Sequence, residues 1–194
     1  MLTLMAMATY LEQSLAQLEI FEGCVPWMYL DTVGKVTVGV GFMLPDSDAA
    51  AALPFQLDGE AATEDEITDD FDRVTGMAAG HVSGYYKQPD SPQLPQSAID
   101  AQLLKTLQGF EGQLRAALTG YDGLPPTVKM ALLDMAYNLG PMGLLKGYPH
   151  MLAAVNQGDW ATAAANCSRV GPSPARNAWT KQQFLAALSP ESSS

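Results

Sequence analysis

The chain has 194 residues, a formal net charge of -11 and a pI near 4.3. Hydrophobic residues make up 47% of it, which is enough to bury one sizeable core and excludes a fully disordered chain. The acidic balance excludes nucleic acid and anionic membranes as partners, because both are bound through basic patches. No apolar run has the length of a membrane span. The N-terminus has neither a basic leader nor a clean cleavage site, so no signal peptide can be read.

The first part of the chain is predicted to form a helix followed by a small sheet. Apolar residues at helical spacing predict an amphipathic helix from about Thr3 to Phe21, which Gly23 ends. Between Val36 and Val40, valines alternate with threonine and glycine, which is the pattern of a strand. The preceding DTVGK supplies turn residues, so a hairpin is expected there.

The rest of the chain is predicted to be helical. Thr63 and Glu66 form a capping box that opens the next helix. Further helices are predicted over Ser97–Leu118, Pro126–Asn138, Met142–Asn156, Asp159–Cys167 and Ala175–Leu188. Because sheet and helices are segregated along the chain, the expected fold class is α+β.

Two carboxylates and a threonine interrupt the apolar segment from Leu18 to Phe42. Glu22 ends the first helix, where the helix dipole and apolar neighbours disfavour the charged form, so its carboxyl can stay protonated. Asp31 lies in the following turn, where polar and backbone donors favour a carboxylate. Thr37 lies on the returning strand, whose glycines leave room for a ligand. An acid and a base on either side of a groove are what glycoside hydrolysis requires.

These residues fall in the pattern E-G-x(5)-Y-x-D-x(2)-G-x(2)-T-x-G-x-G, which resembles the phage-type lysozyme family. The segment Ala131–Ala164 is similar to that family's buried central helix and the helical hairpin after it. The resemblance implies that Glu22, Asp31 and Thr37 form a catalytic triad that cuts peptidoglycan.

Supporting roles follow from the same resemblance. The segment Pro174–Phe184 resembles the family's C-terminal helix, whose arginine contacts the catalytic glutamate; here that arginine is Arg176. Tyr29, Tyr137 and Asn138 are the other expected substrate-binding or supporting residues. The resemblance does not extend over the acidic segment from Met43 to Leu124.

The implied architecture is a single lysozyme-like catalytic domain over residues 1–194. A small β-containing lobe is expected at about 18–60 and a larger helical lobe from 1–17 with 61–194. A cleft is expected between the two lobes.

The implied activity is that of a muramidase, an inverting glycoside hydrolase that cleaves the β-1,4 bond between N-acetylmuramic acid and N-acetylglucosamine. Two other functions stay open at this stage. A lytic transglycosylase uses one glutamate, and the presence of both Asp31 and Thr37 argues against it. A catalytically silent wall- or partner-binding module would keep the fold, and the acidic surface leaves this open.

Partners and location follow from the implied activity. The expected partners are the glycan strands of peptidoglycan and an immunity protein, with no nucleic acid or membrane, and a monomer is expected. The protein would act on the cell wall of a target or host cell, released by lysis machinery or a dedicated secretion system. A phage endolysin and an interbacterial effector both fit.

The remaining chemistry-bearing residues are predicted to be structural. His81 and His150 lack partners at metal-ligand spacing, so neither a metal nor a cofactor is expected. Cys24 and Cys167 are interpreted as small hydrophobic residues, with a bridge or a reactive thiol as alternatives. The three tryptophans, Trp27 among them, are assigned to packing.

Overall fold

The computed structural model describes residues 9–188, which fall into two compact units. One unit is continuous and comprises residues 18–103. The other combines the residues up to Gln17 with those from Leu104 onward. Two helices, α1 (Tyr10–Glu22) and α4 (Gln96–Ala117), have residues in both units.

The continuous unit contains the sheet. After α1 come β1 (Val25–Leu30), β2 (Val36–Gly39) and β3 (Phe42–Met43), which form an antiparallel sheet in that order. Then follow α2 (Ser47–Ala51), the hairpin of β4 (Gln56–Leu57) and β5 (Glu60–Ala61), α3 (Glu64–Thr75) and a 3₁₀ turn at Ser83–Tyr85.

The burial of β1 alternates only in the second half of the strand. Met28 and Leu30 are buried and Tyr29 between them is half-buried, whereas Val25 to Trp27 are all half-buried, and the pairing with β2 is irregular between Val25 and Tyr29. All four residues of β2 are buried. The valine–threonine alternation of β2 therefore does not mark a solvent-facing side.

The second unit is helical in its described part. It comprises α5 (Pro126–Leu139), α6 (Pro141–Gly147), α7 (Pro149–Gln157), α8 (Trp160–Ala165) and α9 (Pro174–Ala186), with the C-terminal part of α4 and a 3₁₀ turn at Tyr121–Gly123. From Met130 to Ala136 every residue of α5 is buried. The helix packs against α6 and α9 and forms the centre of this unit's core.

The α+β fold class is confirmed, because a small antiparallel sheet lies in one stretch of the chain and helices occupy the rest. The first helix begins at Tyr10 within the described range; the part predicted from Thr3 to Ala8 lies outside it. The capping box of Thr63 and Glu66 is present at the start of α3.

One predicted helix is wrong. Met142–Asn156 was expected to be continuous, but α6 and α7 are separate helices. Tyr148 joins them in a non-helical conformation, with φ -125° and ψ 49°. The break has a local cause, because Pro149 removes a backbone donor and disfavours a helical residue before it.

Candidate active site

Glu22 is the last residue of α1, three residues before β1 begins. The helix ends there because Gly23, at φ 76°, takes the left-handed conformation that glycine adopts without steric cost. The Glu22 side chain is exposed. Its apolar neighbours therefore do not bury the residue to the degree that the sequence predicted.

Asp31 follows β1 and begins the turn that leads to β2. Its Oδ1 accepts hydrogen bonds from the backbone N–H groups of Val33, at 2.9 Å, and Lys35, at 2.8 Å. The Asp31 N–H donates to the carbonyl of Lys35 at 2.9 Å, and Gly34 supplies a positive φ of 77°. Oδ2 accepts no hydrogen bond from residues 9–188, so the turn fixes one carboxylate oxygen and leaves the other available.

Thr37 lies in β2 directly opposite Tyr29 of β1. Its hydroxyl donates to the carbonyl of Lys35 at 3.0 Å, and the residue is 2% exposed. Lys35 therefore joins Asp31 and Thr37 through its backbone. Because the hydroxyl proton of Thr37 is used in this bond, the oxygen can act towards a water only as an acceptor.

Tyr29 connects the two carboxylates. Burial raises the pKa of its phenol, and the negative charges of Asp31 and then of Glu22 raise it further, with a smaller contribution from Cys24. Both carboxylates thus act electrostatically on one phenol. The phenol itself makes no hydrogen bond to a described residue.

Gly39 does not leave the room for a ligand that the sequence predicted there. A Cβ on Gly39 would lie 3.2 Å from the side chain of Ile99, so this position is closely packed. Gly39 and Gly41 have φ of 65° and 71°, in the connection between β2 and β3. Their role is to shape this connection, and that part of the sequence interpretation is wrong.

Three predicted supporting residues lie in the helical unit. Tyr137 and Asn138 are near the end of α5; Tyr137 is half-buried, with its ring edge towards Phe110, and Asn138 is exposed. Arg176 lies on α9 and is 5% exposed, so it is not a surface arginine. The predicted contact of Arg176 with Glu22 stays a prediction.

Asp134 is a buried residue that the sequence analysis did not single out. Its Oδ1 accepts from Nε of Arg176 at 2.7 Å, and its Oδ2 accepts from Nη2 of Arg169 at 2.6 Å and from the hydroxyl of Thr180 at 2.7 Å. One carboxylate therefore holds two buried guanidinium groups. A single acid inside the apolar run ALLDMAY was the sequence signal that could have identified it.

Two further properties of residues 9–188 bear on function. They contain no group of three or more His, Cys, Asp or Glu side chains placed to hold a metal ion. Within the same range, no helix combines the length and the apolar character that crossing a bilayer requires. Cys24 and Cys167 are free thiols, half-buried and buried respectively.

The family model described as phage lysozyme matches residues 19–171. The match covers well over half of the chain and includes Glu22, Asp31 and Thr37, but it ends before Arg176. No curated protein is significantly similar to the chain in sequence. The chain thus belongs to the phage lysozyme family, whose members are glycoside hydrolases that act on the peptidoglycan of the cell wall.

Proposed function

We propose that this protein is a muramidase that hydrolyses the β-1,4 bond between N-acetylmuramic acid and N-acetylglucosamine. The observation that carries the proposal is the carboxylate of Asp31, whose Oδ1 is held by two backbone N–H groups while Oδ2 accepts no hydrogen bond from the described residues. Glu22 at the end of α1 and Asp31 in the turn after β1 would give an acid and a base to a single glycosidic bond.

Glu22 is the proposed general acid. Its exposed side chain at the end of α1 can reach the oxygen of a bound glycan, to which it gives the proton that departs with the leaving group. Tyr29, whose phenol has no hydrogen-bond partner among the described residues, is free to donate to the same substrate.

Asp31 is the proposed general base, and Thr37 its partner in holding the attacking water. The fixed Oδ1 sets the orientation of the carboxylate, and Oδ2 is left to take a proton from that water. Thr37 would accept a second hydrogen bond from the water and so orient it. A base that acts through water gives inversion, for which the two carboxyl groups stand about 6.5–9.5 Å apart.

The remaining roles are proposed from the resemblance. Tyr137 and Asn138 would contact the glycan, and Arg176 would orient the carboxyl of Glu22. The protein would act as a monomer on the cell wall of a target or host cell, as a phage endolysin or as an interbacterial effector opposed by an immunity protein. Holin genes beside its own would support the first, and secretion and immunity genes the second.

Glu22→Gln is the direct test. An amide keeps the shape of the side chain but cannot supply the proton, so cleavage of purified peptidoglycan should fall by about 10²–10⁴-fold. Glu60→Gln, an equal change at an exposed position of β5, should leave activity unchanged. Circular dichroism and melting curves check that both variants fold.

Mass spectrometry of the released fragments separates the alternatives. Hydrolysis gives reducing ends, whereas a lytic transglycosylase gives anhydro-sugar ends. Wild-type activity in Glu22→Gln would remove this residue from the mechanism. A wild-type protein that binds walls without releasing fragments would be a binding module.

A further inference from the structure

The side chain of Lys87 lies over the indole ring of Trp27. The ammonium of Lys87 lies 4.3 Å from the centroid of the indole, within the range of a cation–π contact. The indole Nε1 donates to the carbonyl of Ser83 at 2.9 Å, which fixes the plane of the ring. The segment around the Ser83–Tyr85 turn therefore holds a lysine at a defined place above β1.

This pair lies beside the candidate active site. Trp27 precedes Tyr29 by two residues in β1, and residues two apart on a strand are separated by about 6.6 Å. Tyr29 is the residue on which the charges of Glu22 and Asp31 act. A glycan bound at the two carboxylates would thus pass near Trp27.

The charge of Lys87 is unusual in its surroundings. Residues 18–103 contain three basic residues, Lys35, Arg73 and Lys87. Arg73 is paired with Asp70 at 2.6 Å, whereas neither Lys35 nor Lys87 makes an ion pair with a residue of the described range. In a chain with a net charge of -11, an ammonium without a carboxylate partner is available to an anion from outside.

We propose that Trp27 and Lys87 form an anion subsite that binds a carboxylate of the peptidoglycan peptide while the glycan lies at Glu22 and Asp31. Lys87 supplies the charge, and the ring of Trp27 positions it. The proposal rests on the proposed function, since the active site supplies the neighbouring glycan. It assigns Trp27 a role in substrate selection, where sequence analysis assigned it to packing.

The test compares two substrates that differ only in charge. Soluble peptidoglycan fragments are used either native or with their carboxyl groups converted to amides. Lys87→Gln should raise KM on the native fragments by about twofold to fivefold, the size expected for one exposed ion pair, with kcat unchanged. On the amidated fragments it should change neither constant.

Two variants serve as matched controls. Lys146→Gln removes the same charge from an exposed position of α6 and should leave both substrates unaffected. Lys87→Arg keeps a cation that stacks on the indole and should restore the wild-type KM on native fragments. An equal loss on both substrates, or no loss on the native one, would overturn the proposal.

A binding measurement distinguishes a failure of the anion subsite from a failure of the proposed muramidase activity. Titration calorimetry with Glu22→Gln measures the affinity for each set of fragments without turnover. If native fragments bind more tightly than amidated ones, and the added substitution Lys87→Gln abolishes the difference, the subsite is supported. If the wild-type enzyme nevertheless cleaves neither set of fragments, only the proposed function fails. Equal affinity for both sets overturns the subsite even if cleavage is rapid.

Discussion

At Asp31 the two oxygens of one carboxylate have different surroundings. Oδ1 accepts from two backbone N–H groups of the turn, whereas Oδ2 accepts from no described residue. The first arrangement is structural, because it closes the turn between β1 and β2. The second is chemical, because an oriented but available oxygen is what a general base requires.

Asp31→Asn should separate these two roles. The amide oxygen can still accept from Val33 and Lys35, so the turn and the melting temperature should be kept, while the base is lost. We expect kcat on soluble peptidoglycan fragments to fall by about 10²–10⁴-fold. Asp90→Asn, at an exposed position of the same unit, is the matched control and should be active.

Proton NMR of the first product tests the role of Asp31 in the wild-type enzyme. Attack by a water on the opposite face of the ring releases the α-anomer first. Initial release of the β-anomer would mean retention, and Asp31 would then be a nucleophile or have no part in the chemistry.

At the scale of the elements, the sequence predicted those with strong local signals. The capping box set the start of α3, and helical spacing set α4 and α5 to within a residue or two. It did not identify α2 or the β4–β5 hairpin, because segments of two to five residues are too short to show a period. The close packing of Gly39 on Ile99 joins residues 60 positions apart, a contact that no local pattern encodes.

The candidate site, too, could be predicted from the sequence only in part. Its residues in the hairpin could be identified because their spacing matches a family motif. The fixed Oδ1 of Asp31 and the hydrogen bond from Thr37 to Lys35 depend on turn geometry, which spacing alone does not give. Asp134 was missed because its partners, Arg169 and Arg176, are distant in sequence.

The capping box of α3 should contribute to stability in a pH-dependent way. The Glu66 carboxylate accepts hydrogen bonds from the backbone N–H of Thr63 at 2.7 Å and from the Thr63 hydroxyl at 2.8 Å. Both bonds lower the pKa of Glu66 below its ordinary 4.5, and the backbone bond has the larger effect. A lowered pKa in the folded state stabilises the protein above the unfolded-state pKa. That stabilisation is lost as the pH falls through the folded-state value.

Urea denaturation of the wild type and Glu66→Gln between pH 7 and pH 3 measures this effect. The difference in unfolding free energy should be constant above about pH 5 and should shrink below about pH 4.5. Glu64→Gln, in the same helical turn but without a hydrogen-bonded side chain among the described residues, should show a smaller change. A difference that grows in acid would contradict the assignment.

The buried carboxylate of Asp134 should contribute much more to stability than an exposed one. Asp134→Asn leaves Arg169 and Arg176 buried without their compensating charge, which should cost about 3–5 kcal/mol in the free energy of unfolding. The matched control is Asp122→Asn, whose pair with Arg115 is exposed to solvent, so that its loss should change the free energy of unfolding far less. Urea denaturation at pH 7 compares the two, and equal losses would show that the buried network is not stabilising.

At the scale of the whole molecule, the net charge opposes the approach to an anionic wall. Salt screens this repulsion, with a Debye length of about 30 Å at 0.01 M and about 10 Å at 0.1 M. We therefore expect the rate of wall lysis to rise severalfold between these two salt concentrations. Turbidity measurements at constant pH follow the rate of wall lysis.

Amidated walls provide the control for this prediction. With their carboxylates removed, the dependence on salt should become weaker. A rate that falls steadily with added salt on native walls would mean that local attraction, such as that proposed for Lys87, outweighs the net charge.

The division of the helical unit into two separated stretches of sequence determines the order in which the molecule can be completed during synthesis. Tyr10 of α1 leaves the ribosome early, but its hydroxyl bonds to Glu111 and its ring lies 5.1 Å from the ammonium of Lys129. At about 5–20 residues per second, these partners emerge several seconds later, after all of residues 18–103. The nascent chain therefore displays the start of α1 without its packing partners while the unit that carries Glu22, Asp31 and Thr37 is already whole.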